Sequence, residues 1–275
     1  MDLGEDKIVC EIISRLKEGR PQDGAVKVDG TWGSFAPMLA AHISKALKRP
    51  ILYVNAHLDE ADRTSDDLQV FRGKGVEVFP VWEGIENIAD ATDEIGAQRL
   101  RLALGLAQAE PEELSGLIIC APVQAINQPV PSGQVLMKAG LGLQVKQTIE
   151  PELVVGWLTD NGFERVDSVD LPGQFARRGG IIDIFAPVTT DSACRIGAVG
   201  GQEAEPVRVE FFADMIDSIR KIDLDTQRST ERIEGVCIVA PAEYGRKGET
   251  ELFVNLLPAE TIIILEEPVD IADVS

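Results

Sequence analysis

The 275-residue chain carries 26 Lys and Arg against 46 Asp and Glu, a formal net charge of −20, which opposes any surface that wraps or coats a polyanion. Its 44% hydrophobic content is enough for packed cores, and the length suits one large or two ordinary domains at about 150 residues each. No apolar run approaches the roughly 20 residues that cross a bilayer, and the acidic start Met1 to Asp6 cannot be the basic n-region of a signal peptide, so the expected location is the cytoplasm.

Ile8, Ile12, Ile13 and Leu16 recur at helical spacing before Gly19 and Pro21 end the pattern, which predicts an opening helix that packs on a sheet. A short strand is expected at Ala25 to Val28, then a helix over Pro37 to Lys48, a buried strand at Ile51 to Asn55, a polar helix through Asp59 to Arg72 and a strand at Val76 to Pro80. That alternation reads as βαβαβ, and a helix at Ala97 to Ala109 feeding a strand at Leu117 to Cys120 continues it. The first domain, residues 1–122, is therefore expected to be α/β with a doubly wound parallel sheet.

After Pro122 the pattern changes. Pro129, Pro131, Ser132 and Gly133 mark a crossover, a helix is expected at Glu152 to Asp160, and strands follow without intervening helices at Phe163 to Val169, Gly180 to Phe185 and Val207 to Phe212. Val207, Val209 and Phe211 alternate with Arg208 and Glu210 as a half-buried antiparallel strand should. Residues 123–213 form the expected α+β domain, Val188 to Glu205 a surface loop, and residues 214–275 a small third segment. In that segment a strand at Val236 to Val239 precedes another at Ile262 to Leu265, which is expected to return to the first sheet.

The four cysteines, Cys10, Cys120, Cys194 and Cys237, form no Cys-x-x-Cys pair and read as reduced core thiols, with no metal expected. His42 and His57 have no nearby Ser or Cys placed as a nucleophile. The stretch Gly30-Thr31-Trp32-Gly33-Ser34-Phe35-Ala36-Pro37 occupies the position of a phosphate loop but lacks its chemistry. That loop needs a close-approach Gly, a Lys for the β- and γ-phosphates and a Ser or Thr for Mg²⁺. Here Phe35, Ala36 and Pro37 stand at those positions, so Phe35 should obstruct the cradle, Ala36 removes the cation and Pro37 lacks both hydroxyl and N–H. The plain alternative is a strand-turn-helix with Pro in the first helical turn. Glu266-Glu267-Pro268 after the last strand resembles an altered Walker-B segment, and no cofactor is expected.

The most specific run lies in the second domain. Glu164-Arg165-Val166-Asp167, then Pro172-Gly173-Gln174-Phe175-Ala176-Arg177-Arg178-Gly179-Gly180-Ile181-Ile182-Asp183-Ile184-Phe185, then Val207-Arg208-Val209-Glu210-Phe211-Phe212-Ala213-Asp214 follow in order, continued by Ile216-Asp217-Ser218-Ile219-Arg220. This run resembles the domain shared by the excision-repair protein UvrB and the bacterial transcription-repair coupling factors. The segment Pro80 to Arg99 contains Trp82, no tyrosine, and too few residues for the Tyr-rich DNA-inserting hairpin of UvrB, so the resemblance favours the coupling factors.

The resemblance implies a degenerate P-loop NTPase-like parallel sheet with an inserted α+β UvrB-type interaction domain. It also implies a non-catalytic module that recruits UvrA. RNA polymerase and DNA are partners of the whole family through other domains, and on this reading the chain is an N-terminal fragment. The alternative is a UvrB-like, ATP-dependent DNA-damage-processing enzyme.

By motif position, the resemblance places UvrA-binding residues at Arg165, Arg178, Arg208 and Phe185, with Arg177 on the opposite face of its strand. Guanidinium groups suit a partner's carboxylates because they bind in a planar, bidentate way. Two readings stand for each arginine, a contact with a partner or an internal pairing with Asp167, Asp183 or Glu210. For Phe185, burial statistics favour the core and only the resemblance favours contact.

Overall fold

A computed structural model describes residues 3–19, 25–82, 94–110, 112–136, 140–190, 205–239 and 250–274. The chain divides into two compact units, one of residues 1–81, 110–127 and 257–275, the other of residues 82–109 and 128–256.

In the first unit, α1 (Lys7–Glu18) starts where the Asp6 carboxylate accepts the backbone N–H groups of Ile8 and Val9, two of the donors a helix start leaves unpaired. Then come α2 (Phe35–Leu47), β1 (Ile51–Asn55), α3 (Leu58–Arg72), β2 (Val76–Val78), β3 (Ile118–Pro122) and the short α5 (Val123–Asn127). The unit closes with β15 (Ile262–Leu265) and α8 (Pro268–Val274). Four strands pair in the order β15-β1-β3-β2, all parallel, so the returning last strand and the parallel sheet are as expected. Ile51, Tyr53, Ile118, Cys120 and Ile262 alternate onto one face, where Val9 and Ile12 of α1, Leu39 and Ile43 of α2, and Leu68 of α3 cover them. Each such side chain, fully buried, contributes about 1.5–3 kcal/mol.

Two expectations for this unit are corrected. Residues 25–28 form no strand; the sheet ends at β15 and β2, so Val26 packs against the core without a strand to pair with. The helix expected at 97–109, α4 (Glu94–Gln108), belongs to the second unit, where Leu100, Ala103 and Leu104 pack with Leu136, Cys237 and Val239. Helical periodicity identified an apolar face and could not say which sheet it covers.

The second unit also contains β4 (Pro129–Pro131), α6 (Gly133–Leu136), β5 (Gly140–Gln144), α7 (Pro151–Asp160), β6 (Glu164–Arg165), β7 (Gln174–Arg178) and β8 (Ile181–Phe185). It continues with β9 (Val188–Thr190), β10 (Val207–Phe212), β11 (Met215–Asp223), β12 (Arg228–Ile233), β13 (Gly235–Val239) and β14 (Thr250–Leu252). Its main sheet has the order β12-β11-β10-β8-β7-β6, antiparallel throughout except for β6 beside β7. Phe175, Ile182, Ile184, Val207, Val209 and Ile219 lie on one face, packed with Val154 and Leu158 of α7. Smaller sheets pair β5-β13-β9 and β14-β4.

The sheet runs unbroken through the β10–β11 hairpin, so it joins residues that the sequence reading divided at 213 and 214. The strand expected over 163–169 shortens to Glu164–Arg165, because Val166 and Val169 turn onto the second face of the sheet and pack with Ala176, Phe185 and Ile222.

The cysteines also differ from the expected set of reduced core thiols. Cys10 is exposed and Cys120 is buried, both free, and burial pushes the Cys120 thiol up to about 12. Cys237 is disulfide-bonded, since wide spacing in sequence does not prevent approach in space. Cys194, and residues 83–93 of the segment compared with the UvrB hairpin, lie outside the described residues.

Candidate docking face

The β7–β8 hairpin is closed by Gly179, in the left-handed region at φ +64, and Gly180. A Cβ on Gly180 would stand 3.0 Å from the Phe211 carbonyl oxygen, and the Phe211 N–H donates to the Gly180 carbonyl at 2.7 Å. The turn is thereby held against β10. Its register places Ala176 opposite Asp183 and Arg178 opposite Ile181. Since side chains alternate along a strand, Arg178 shares a face with Asp183, Arg208 and Glu210, while Arg177 shares the face of Phe175 and Ile182.

Arg165 and Arg178 are exposed, and with Val166, Asp167 and Arg177 they line an open depression of about 720 Å³. By register Arg165 stands on the Arg177 side, so this depression wraps around the β6 edge of the sheet. The Arg178 guanidinium donates to the Asp167 backbone carbonyl at 2.7 Å, which aims the side chain without neutralising its charge. The Arg165 guanidinium has no hydrogen-bond or ion-pair partner among the described residues. Arg177 donates to Glu152 of α7, and that hydrogen bond holds the Glu152 carboxyl below its ordinary range.

The other two residues expected at a partner surface lie differently. Arg208 donates to both oxygens of Asp183, at 2.7 and 2.8 Å, and reaches Ser229 at 3.4 Å. Its side chain is 17% exposed and that of Asp183 4%. Hydrogen bonding to Asp183 raises the basicity of Arg208, and the bidentate pair is the internal alternative of the two readings. Phe185 is only 6% exposed, in the core as burial statistics favour and not at an open contact surface as the resemblance implied. The Val166–Val169 segment covers it, and both faces of β8 are buried at that end.

In the first unit the stretch expected as a nucleotide-like loop is open. Gly30 and Gly33 have positive φ, and nothing lies within 4 Å of a Cβ built on either; Trp32 is 85% exposed. Phe35 packs against the core, so it fills no cradle, and Pro37 is buried in the first turn of α2. Ala36 supplies no polar group, and Ser34 caps the helix without a side-chain hydrogen bond. No strand precedes the loop among the described residues.

At the carboxyl ends of β1 and β15, buried Asn55 donates to Thr64 at 3.0 Å and to Glu266 at 2.9 Å. Burial first, then the neighbouring Glu60 and Glu267 carboxylates, push the Glu266 carboxyl above its ordinary value of 4.5. The sequence marked Glu266 by its position after a strand and offered no signal for Asn55, whose burial follows from the pairing of β1 between β15 and β3. Among the described residues, no group of three or more His, Cys, Asp and Glu could hold a metal ion.

Residues 141–244 match the UvrB interaction domain family, a span that contains α7, the whole six-stranded sheet and the depression. The chain is 32% identical over 247 residues to the transcription-repair-coupling factor of Bacillus subtilis (strain 168), covering 86% of this chain and 19% of that protein. It is 29% identical over 209 residues to the Staphylococcus aureus (strain bovine RF122 / ET3-1) factor, covering 75% and 16%. With the Mycobacterium bovis (strain ATCC BAA-935 / AF2122/97) factor it shares 33% identity over 205 residues, covering 72% and 15%. The chain thus spans less than a fifth of the length of these relatives.

Proposed function

The chain belongs to the transcription-repair-coupling factors as a counterpart of their N-terminal, UvrB-like region, and from that premise we propose that it recruits UvrA through the Arg165–Arg178 depression. The observation that carries this reading is the UvrB interaction domain match over 141–244, which encloses both arginines. Exposed guanidinium groups without carboxylate partners suit acidic groups on another protein, and Arg is a favoured hot-spot residue. Arg208 then serves within the sheet, its pair with Asp183 fixing the β8–β10 register beneath the face. Phe185 supports the face from the core.

On the same reading the chain is non-catalytic. The open, cation-free Gly30–Pro37 stretch is a degenerate phosphate loop that neither binds nor hydrolyses nucleotide, which disfavours the UvrB-like enzyme. RNA polymerase and DNA are partners of the whole protein through other regions, and the location is cytoplasmic. No described helix is long and apolar enough to cross a membrane.

Titration of UvrA into the chain tests the docking reading. Arg165→Glu or Arg178→Glu replaces attraction with like-charge repulsion and should weaken binding about a hundredfold or more, with unchanged thermal melts. Arg63→Glu on the exposed side of α3, where Arg63 pairs with Asp59, should bind as wild type. Wild-type affinity in either folded depression variant would remove the proposed face.

A further inference from the structure

We infer that Phe212 is an aromatic anchor of the docking face, a role that rests on the reading above and adds an apolar hollow to the chemistry required of the partner. Phe212 ends β10 and is 74% exposed; Met215, its cross-strand neighbour, is 38% exposed. Large apolar side chains side by side at the tip of a hairpin are costly to hydrate. The register places them on a particular face. Phe211 packs against the sheet's core, so Phe212 points the other way, with Glu210, and Glu210 lies in register with Ile181, itself opposite Arg178. Phe212 and Arg178 therefore stand on one face, two strands and one row apart. At about 4.8 Å per strand and about 3.3 Å per residue, their Cα atoms are separated by roughly 12 Å, within the footprint of one docking site.

The tip is also rigidly held. Ala213 adopts φ +53 in the turn, a conformation uncommon for a residue other than Gly. The Ile149 N–H donates to the Asp214 carbonyl at 2.8 Å, the Lys146 N–H to the Ile216 carbonyl at 2.7 Å, and the Phe211 N–H to Gly180 in the turn that follows Arg178. An aromatic with two rotors on such a frame loses little conformational freedom on binding. The matching partner is a protein segment that brings carboxylates to Arg165 and Arg178 and an apolar hollow to Phe212. A second copy of this chain fits less well, since two molecules of net charge −20 repel one another.

The decisive measurement is calorimetric titration of UvrA into the wild-type chain, Phe212→Ala, Phe212→Thr and Arg178→Glu, with thermal melts and light-scattering masses for each. Thr keeps the strand preference of the site, so it remains informative if Ala loosens the hairpin. Affinity should fall about tenfold or more in both Phe212 variants, with Phe212→Thr melting as wild type. Wild-type affinity in Phe212→Thr, together with loss in Arg178→Glu, overturns the anchor and leaves the docking face standing. Wild-type affinity in Arg178→Glu overturns the docking face itself, and the anchor with it. A wild-type dimer that Phe212→Thr dissociates, with UvrA affinity intact, assigns the tip to self-association and also overturns the anchor.

Discussion

Asp183, buried in the second unit, and Glu266, half-buried in the first, are carboxylates that meet the loss of water in opposite ways. Asp183 lies in the middle of an antiparallel sheet, where the residue directly opposite it is Arg208, and both its oxygens are taken by that guanidinium. Glu266 follows the end of a parallel strand. The Asn55 amide that donates to it is neutral, and the Glu60 and Glu267 carboxylates that act on it are of its own sign. Antiparallel register can set a cation squarely against a carboxylate, so that each finds its partner within the sheet. A parallel strand end offers no opposite residue, so the carboxyl responds by holding its proton more tightly.

The contrast is broken most strongly at the ion pair. Arg208→Met should destabilise the second unit by about 3–5 kcal/mol in urea unfolding, because it leaves Asp183 buried and unpaired. Adding Asp183→Leu should recover most of that loss. A small effect of the single change would mean that the pair contributes nothing the apolar sheet does not already supply.

The effect at Glu266 should be smaller and depend on pH. A carboxyl raised above its ordinary value favours the folded state while protonated, a contribution fully present below the unfolded value near 4.5 and lost as pH rises through the folded value. Glu266→Gln, whose amide oxygen can still accept from Asn55, should therefore melt above wild type at neutral pH, with the gain fading toward pH 4. A gain that persists unchanged at pH 4 would locate its cause elsewhere.

The smallest expected effect is none. Mg-ATP should leave the melting temperature unchanged, whereas a nucleotide present at about 100 times its dissociation constant would stabilise a binder by roughly 2.7 kcal/mol. A clear upward shift with Mg-ATP and none with AMP would restore nucleotide chemistry to the first unit.

Much of this was legible in one dimension. Ile51–Asn55 and Val207–Phe212 form strands at the expected bounds, because a continuous apolar run and a strict alternation are local signals that packing reinforces. The run from Glu164 to Asp214 carried the family resemblance. Other features depended on neighbours. Ala25–Val28 has strand-like residues and no sheet edge to join, and the apolar stripe of α4 fits either unit until the chain folds.

What the sequence determined by itself was the alternation of elements, the absence of a lysine and hydroxyl from the Gly30–Pro37 stretch, and the family motif with its arginines. Only the tertiary structure decided what each motif residue faces. Asp167, Asp183 and Glu210 were equal candidates to pair with an arginine until register set Asp183 against Arg208. Phe185 and Phe212 were two phenylalanines of one motif until the Val166–Val169 segment covered the first and the hairpin tip left the second in water. The physical reason is that periodicity fixes the direction of a side chain relative to its own strand, whereas burial and charge pairing depend on strands distant in sequence.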